Sequence, residues 1–142
     1  MKPLTRSLRA ILLTALLLQI TVADARVIHR ERSLYQTILV TQVRSRLCLQ
    51  FSVRREQRNQ SCKDTSAPQE MLFPYTRMMM AALLLNPDPQ RVLIVGLGGG
   101  TLPAALAELY PNAHFTVVEI DPAVVKVARD YFDYQPSDHT EL

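Results

Sequence analysis

The chain has 142 residues, 48% hydrophobic and 20% charged, with 16 basic side chains against 13 acidic ones and a formal net charge of +3. This is ordinary globular composition with room for one core and no low-complexity tract. The positive excess is no argument for nucleic acid as a partner: most of it sits in the first residues, and without residues 1–25 the charge falls from +3 to about +1.

Those first residues form a segment of their own. Lys2, Arg6 and Arg9 precede an apolar run from Ile11 to Val22, and Ala23-Asp24-Ala25 offers small residues at the offset of a cleavage site. That is the layout of a secretory signal peptide over residues 1–25. The apolar run falls short of the roughly 20 residues of a membrane span. The expectation is an exported, periplasmic protein; the alternative is a membrane anchor made by an uncleaved leader.

Residues 26–72 read as a small antiparallel β domain. Val27 to His29, Leu34 to Val43 and Arg46 to Val53 are rich in Val, Ile, Leu, Thr and Phe, with polar breaks at Arg30 to Ser33 and Arg44-Ser45. A return strand reaches Cys62. A hairpin turning near Arg55 sets Cys48 and Cys62 opposite each other, and an oxidising compartment favours a disulfide between cysteines so placed. The other reading is two unrelated, half-buried thiols.

Residues 73–90 supply a helix and a linker. Pro74 to Leu85 holds good helix formers with proline in the first turn, and Asn86-Pro87 stops it. Met78, Met79 and Met80 read as adaptable core side chains rather than a metal box. Residues 91–142 then alternate strand and helix: a strand Val92 to Val95, whose continuous apolar run suits burial on both faces, a crossover helix Leu102 to Leu109, a second strand from His114, and a helix Pro122 to Tyr131 capped by Asp121. The fold class is therefore α/β, an antiparallel β domain followed by an incomplete Rossmann-like parallel sheet. Two strands and two helices leave a sheet edge open and one apolar face uncovered, so this portion is expected to be marginal alone.

The chemistry concentrates in Arg91-Val-Leu-Ile-Val-Gly-Leu-Gly-Gly-Gly100. Glycines at the end of a strand allow a sharp turn and close approach of a ligand to the backbone. The spacing is Gly-x-Gly-x-Gly, with Thr at position 101 where a dinucleotide fingerprint wants glycine, and it matches adenosylmethionine-type sites better. Glu119 ends the next strand about 23 residues after Gly96, where an acidic residue accepts ribose hydroxyls. No metal site is read from the sequence. His29, His114 and His139 read as solvated or capping residues.

These residues, with Glu31-Arg-Ser-Leu-Tyr-Gln36 and the helix containing Tyr75, resemble the polyamine aminopropyltransferases, the spermidine synthases, from about Val27 to Tyr134. The resemblance covers that family's N-terminal β domain and the first half of its catalytic domain. It implies transfer of an aminopropyl group from decarboxylated adenosylmethionine to an amine, in polyamine biosynthesis, with the nucleoside as cosubstrate and no permanently bound cofactor. By position it implies that Glu119 holds the ribose, Gln36 positions the nucleoside, Gly96, Gly98 and Gly100 shape the turn, and Tyr75 lines a crevice between the domains.

The family's usual Asp is replaced here by Gly99, its His or Gln by Thr76 and its Glu by Arg77, which sets a guanidinium against a dicationic acceptor. The family's catalytic Asp lies in a region with no counterpart in this chain, so no catalytic residue is assigned. Two alternatives stand beside an incomplete transferase: an exported module that binds a nucleoside or polyamine without catalysis, and a relative of the adenosylmethionine-dependent methyltransferases. A homo-oligomer is left open.

Overall fold

A computed structural model describes residues 24–53 and 56–142. The expected leader lies almost wholly outside the described residues. Four strands, β1 (Arg26–Arg32), β2 (Thr37–Val43), β3 (Arg46–Val53) and β4 (Glu56–Asp64), pair antiparallel in the order β1-β2-β3-β4. β1 runs through the Arg30 to Arg32 stretch expected to break it, because an edge strand turns alternate charged side chains to solvent without loss of pairing. β2 starts only at Thr37. The Ser33 hydroxyl accepts from the amides of Tyr35 and Gln36, each at 3.1 Å, and this local turn takes Leu34 and Tyr35 out of the strand.

β3 and β4 carry a register shift: Leu49 faces Ser61, whereas Gln50 faces Asn59, so Gln60 is a bulge residue. The bulge decides the cysteine pairing. Counted from Val53 opposite Glu56, a regular ladder puts Ser61 across from Cys48; the extra residue moves Cys62 there instead. The two cysteines are joined by a disulfide, with their Cα atoms 4.1 Å apart, and both are buried.

The chain then enters α1 (Pro74–Met80), which tightens into a 3₁₀ turn over Ala81–Leu84 rather than running as one α-helix to Leu85. Met78 and Met79 are exposed, contrary to the expected core role, and Met80 alone of the three packs against the core. With a single short helix, only one of three consecutive residues faces inward.

A parallel sheet follows in the order β5 (Arg91–Val95), β6 (His114–Val118), β7 (Thr140–Glu141), with α2 (Thr101–Leu109) and α3 (Pro122–Phe132) as crossovers. β7, only two residues long, was not anticipated from the sequence. Burial of β5 on both faces is not observed: Ile94 is buried, but Leu93 is 66% and Val95 80% exposed. Both helices pack on the face of Ile94, Phe115 and Val117, and β5 is the edge strand, so its other face stays open.

α3 is the element that joins the two sheets. Val124, Val127 and Phe132 pack with Ile38, Val40 and Leu49 of the antiparallel sheet, while Ala128 belongs to the cluster around Ile94, Phe115 and Val117. Spacings of three and four residues keep these side chains on one broad helix face, which meets both sheets. Burial of each valine stabilises by about 1.5–3 kcal/mol, so this double seating sets how the β domain stands over the parallel sheet.

Candidate functional site

β5 ends at Val95, and the next residues turn tightly. Gly96, Gly98 and Gly100 hold φ angles of 91°, 58° and 78°. The need is plainest at Gly100, the left-handed residue that opens α2: a Cβ there would run into the Tyr134 ring. The Gly96 amide donates to the Val118 carbonyl at 2.8 Å and carries the ladder one step past the strand ends.

Glu119 follows β6 and sits beside this turn. Its carboxylate accepts from the Leu97 amide at 2.9 Å and from the Asp121 amide at 3.1 Å. Two of its roughly four acceptor positions are thereby taken, leaving capacity for a hydroxyl pair. Asp121 is 2% exposed and caps α3 by accepting from the Ala123 amide at 3.0 Å. It also accepts from the Ser33 hydroxyl at 2.6 Å, and Ser33 in turn accepts from the Gln36 amide at 3.1 Å. One continuous set of hydrogen bonds thus runs from the glycine turn to Gln36 in the turn between β1 and β2.

Gln36, Tyr75, Gly96, Gly98 and Glu119 line one crevice of about 330 Å³. Gly100 is not among its lining residues and acts behind it, as the start of α2. The size is at the lower end for a small-molecule site. The turn and the ends of β5 and β6 form one side. Gln60 and Ser61 of β4 with Tyr75, Thr76 and Met79 of α1 form the other. The Tyr75 hydroxyl donates to the Gln60 carbonyl at 3.1 Å, a bond made available by the bulge, and burial pushes the phenol above its ordinary value. Thr76 is buried and donates to the Phe73 carbonyl at 2.7 Å.

Arg77 does not oppose a ligand as expected. It is exposed and absent from the crevice lining, to which α1 contributes Tyr75, Thr76 and Met79. Among the described residues, no Lys, Arg or His lines the crevice, and Glu119 and Asp121 are its carboxylates.

Gly99 is closed to any side chain. A Cβ there would stand 2.7 Å from Ser61 Oγ and 2.9 Å from Phe132 Cδ1. Ser61 was not singled out from the sequence, and no local signal could have found it, since its position depends on the bulge at Gln60. The Ser33–Asp121 contact was likewise missed, although Asp121 was read as a cap. His29 is not solvated: its side chain is 20% exposed, contacts Glu31 at 3.2 Å and lies against the Tyr131 ring.

The family profile of the spermine/spermidine synthase domain matches residues 72–140. The polyamine aminopropyltransferase of Vibrio vulnificus is 46% identical over 133 residues, which is 92% of this chain and 44% of that protein. The chain thus spans less than half the length of this curated relative. A probable spermidine synthase from Corynebacterium glutamicum superposes with a TM-score of 0.62 at 20% identity, over 82% of this chain and 43% of that one, a likeness of fold. A spermidine synthase solved with the transition-state analogue AdoDATO superposes with a TM-score of 0.56 at 26% identity, over 82% of this chain and 39% of that one. With its antiparallel sheet, its Rossmann-like parallel sheet and the glycine turn between them, the chain belongs to the polyamine aminopropyltransferase (spermidine synthase) family.

Proposed function

We propose that the crevice binds an adenosylmethionine-type nucleoside and that the chain serves aminopropyl transfer from decarboxylated adenosylmethionine to an amine. The observation that carries this reading is the Glu119 carboxylate held against the Leu97 amide at the glycine turn, on the floor of a crevice walled by β4 and α1. The backbone there is bare enough for a nucleoside, and an acid with unused acceptor positions stands beside it. The solved relative with AdoDATO supports the same class of ligand. Among the described residues no cation lines the crevice to pair with the α-carboxylate of adenosylmethionine, which favours the decarboxylated form.

In the proposed reaction the amine nitrogen attacks the carbon next to the sulfonium. The new C–N bond forms as the C–S bond breaks, methylthioadenosine leaves with the electron pair, and the amine sheds a proton. Isothermal calorimetry on the full chain tests the binding step: methylthioadenosine is expected to bind, and adenosylmethionine more weakly. An absence of heat with methylthioadenosine would sink the nucleoside reading.

A second reading is a module that binds without catalysis. It is favoured by the roles of the two crevice carboxylates: Glu119 faces the ribose and Asp121 caps α3 and holds Ser33, and among the described residues no further carboxylate lines the crevice to take the amine's proton. Incubation with decarboxylated adenosylmethionine and an amine separates the two. Release of methylthioadenosine supports the transferase, whereas tight nucleoside binding without release supports the module.

A further inference from the structure

We propose that the Cys48–Cys62 disulfide is a redox control on the crevice. With the bond closed, β4 presents Ser61 to the glycine turn; with it reduced, β4 is free to leave that register and nucleoside binding weakens. The proposal rests on the nucleoside reading above and adds its regulation.

The bond sits where β4 has two registers to choose from. Counted from Val53 opposite Glu56, a regular ladder sets Ser61 across from Cys48 and Gln60 across from Leu49. The bulge instead sets Cys62 across from Cys48 and Ser61 across from Leu49. Only the bulged register brings the two sulfurs together, so closing the bond selects it. The other register turns Ser61 to the opposite face of the sheet, because side chains alternate along a strand. A bulge also leaves one residue of the ladder unpaired, and the disulfide fastens the strand directly beyond that weak point.

The residues on either side of Cys62 reach other elements. The Gln60 carbonyl accepts from the Tyr75 hydroxyl at 3.1 Å. Ser61 lies against the glycine turn: a Cβ at Gly98 would stand 3.6 Å from Ser61 Cβ, and one at Gly99 2.7 Å from Ser61 Oγ. Lys63 donates to the Phe132 carbonyl at 3.4 Å and pairs with Asp133. Gln60, Ser61, Tyr75 and Gly98 all line the crevice, so a change of register at Cys62 alters its walls.

Cys62 also lines a hollow of about 180 Å³ with Lys63, Gly99 and Gly100, which gives a small dithiol a route to the bond. In the step, the dithiol passes two electrons and two protons to the protein. The S–S bond breaks, Cys48 and Cys62 become thiols, and the dithiol closes to its own disulfide. The coupling is reciprocal: a nucleoside that prefers the bulged register makes the bond harder to reduce by the same factor.

The test is equilibrium dialysis of the full chain against methylthioadenosine, before and after reduction with dithiothreitol. Affinity should fall about tenfold on reduction and return on reoxidation. The midpoint of the bond in a dithiothreitol redox buffer, read by maleimide labelling, should drop by about 30 mV when the nucleoside saturates. Deletion of Gln60 makes the regular ladder and the disulfide register one and the same. That variant keeps the bond, and its affinity should not change on reduction; a bond that merely stabilises the fold would weaken binding in both proteins. Should the deletion variant not fold, amide exchange of the reduced wild-type chain decides: faster exchange confined to β4 around Gln60 supports the proposal, and uniformly faster exchange sinks it. Redox-independent affinity in the wild-type chain, or loss of its cooperative urea transition on reduction, overturns the proposal and leaves the nucleoside reading standing. Failure of the oxidised chain to bind methylthioadenosine overturns both.

Discussion

Ser33 and Asp121, separated by 88 residues in the chain, meet with the serine hydroxyl 2.6 Å from the buried carboxylate. The same serine oxygen accepts from the amide of Gln36, and the same aspartate caps α3. A single contact therefore ties the turn that carries Gln36 to the helix that begins where the Glu119 strand ends. Ser33→Ala removes the donor to a charged acceptor, worth about 1.5–3 kcal/mol. We expect a lower denaturant midpoint together with weaker methylthioadenosine binding. A lower midpoint with unaltered affinity would show that the contact braces the fold without positioning the crevice.

Glu119 links the glycine turn to the start of α3 through the amides of Leu97 and Asp121. Glu119→Ala leaves both amides unpaired and removes the acceptor proposed for the ribose. Nucleoside affinity should drop at least tenfold, about 1.4 kcal/mol. Glu119→Gln keeps a carbonyl acceptor for one amide and should fall between alanine and wild type. Unchanged calorimetric affinity in the alanine variant would contradict the assigned role.

Gly99 has no room for a methyl group. Gly99→Ala should destabilise the chain by about 1–3 kcal/mol through overpacking against Ser61 and Phe132. The two substitutions are coupled. In a Ser61→Gly background the closer clash disappears, and the cost of Gly99→Ala should shrink. A double-mutant cycle read by urea denaturation measures the difference, and strict additivity would argue against the contact.

The disulfide between Cys48 and Cys62 closes a loop with a sequence separation of 14. On the chain-entropy account such a loop contributes about 3 kcal/mol. Replacement of both cysteines by serine should lower stability by that order. It should also loosen the bulged register that presents Ser61 and the Gln60 carbonyl to the crevice. Non-reducing peptide mapping of the purified protein reads the bond directly, and two free thiols would refute it.

Glu31 on β1 contacts His29 and Lys126, so it joins the antiparallel sheet to α3. The hydrogen bond with His29 and then that with Lys126 hold its carboxyl below its usual value of 4.5. A depressed carboxylate favours the folded state above its unfolded pKa and loses that contribution as pH falls through its lower, folded value. The stability advantage of wild type over Glu31→Gln should therefore be flat above pH 4.5 and vanish below it. Denaturation midpoints across that range test the sign; an advantage that grew on acidification would reverse the account. Its size will be small, because the group is near the surface and screened.

Local chemistry made much of the scaffold readable. Pro74 and Pro122 at helix starts, Asp121 as a cap and the glycines after an apolar strand act through their own backbone geometry or that of a neighbour, so they mark elements wherever they occur. Glu119 was legible for a related reason: its distance from Gly96 follows from one strand–helix–strand unit. The three methionines and β5 misled because composition reports hydrophobicity, not which face a neighbour covers. Met78, Met79, Leu93 and Val95 are apolar and exposed, since packing against them would require surface that the described elements do not present.

What the order of amino acids determined by itself was the kind of site: a strand, a side-chain-free bend, a helix, and an acid at the end of the next strand. What only the tertiary structure decided was the company that site keeps. The bulge at Gln60 shifts β4 by one residue, and that shift brings Ser61 to Gly99 and the Gln60 carbonyl to Tyr75, while the structure selects the disulfide from the two readings that the sequence left open for Cys48 and Cys62. Each of these pairings joins residues distant in sequence, and a register change of one position moves side chains to the opposite face of a sheet. The sum of contacts across the whole sheet and α3 selects that register, and no segment read alone contains it.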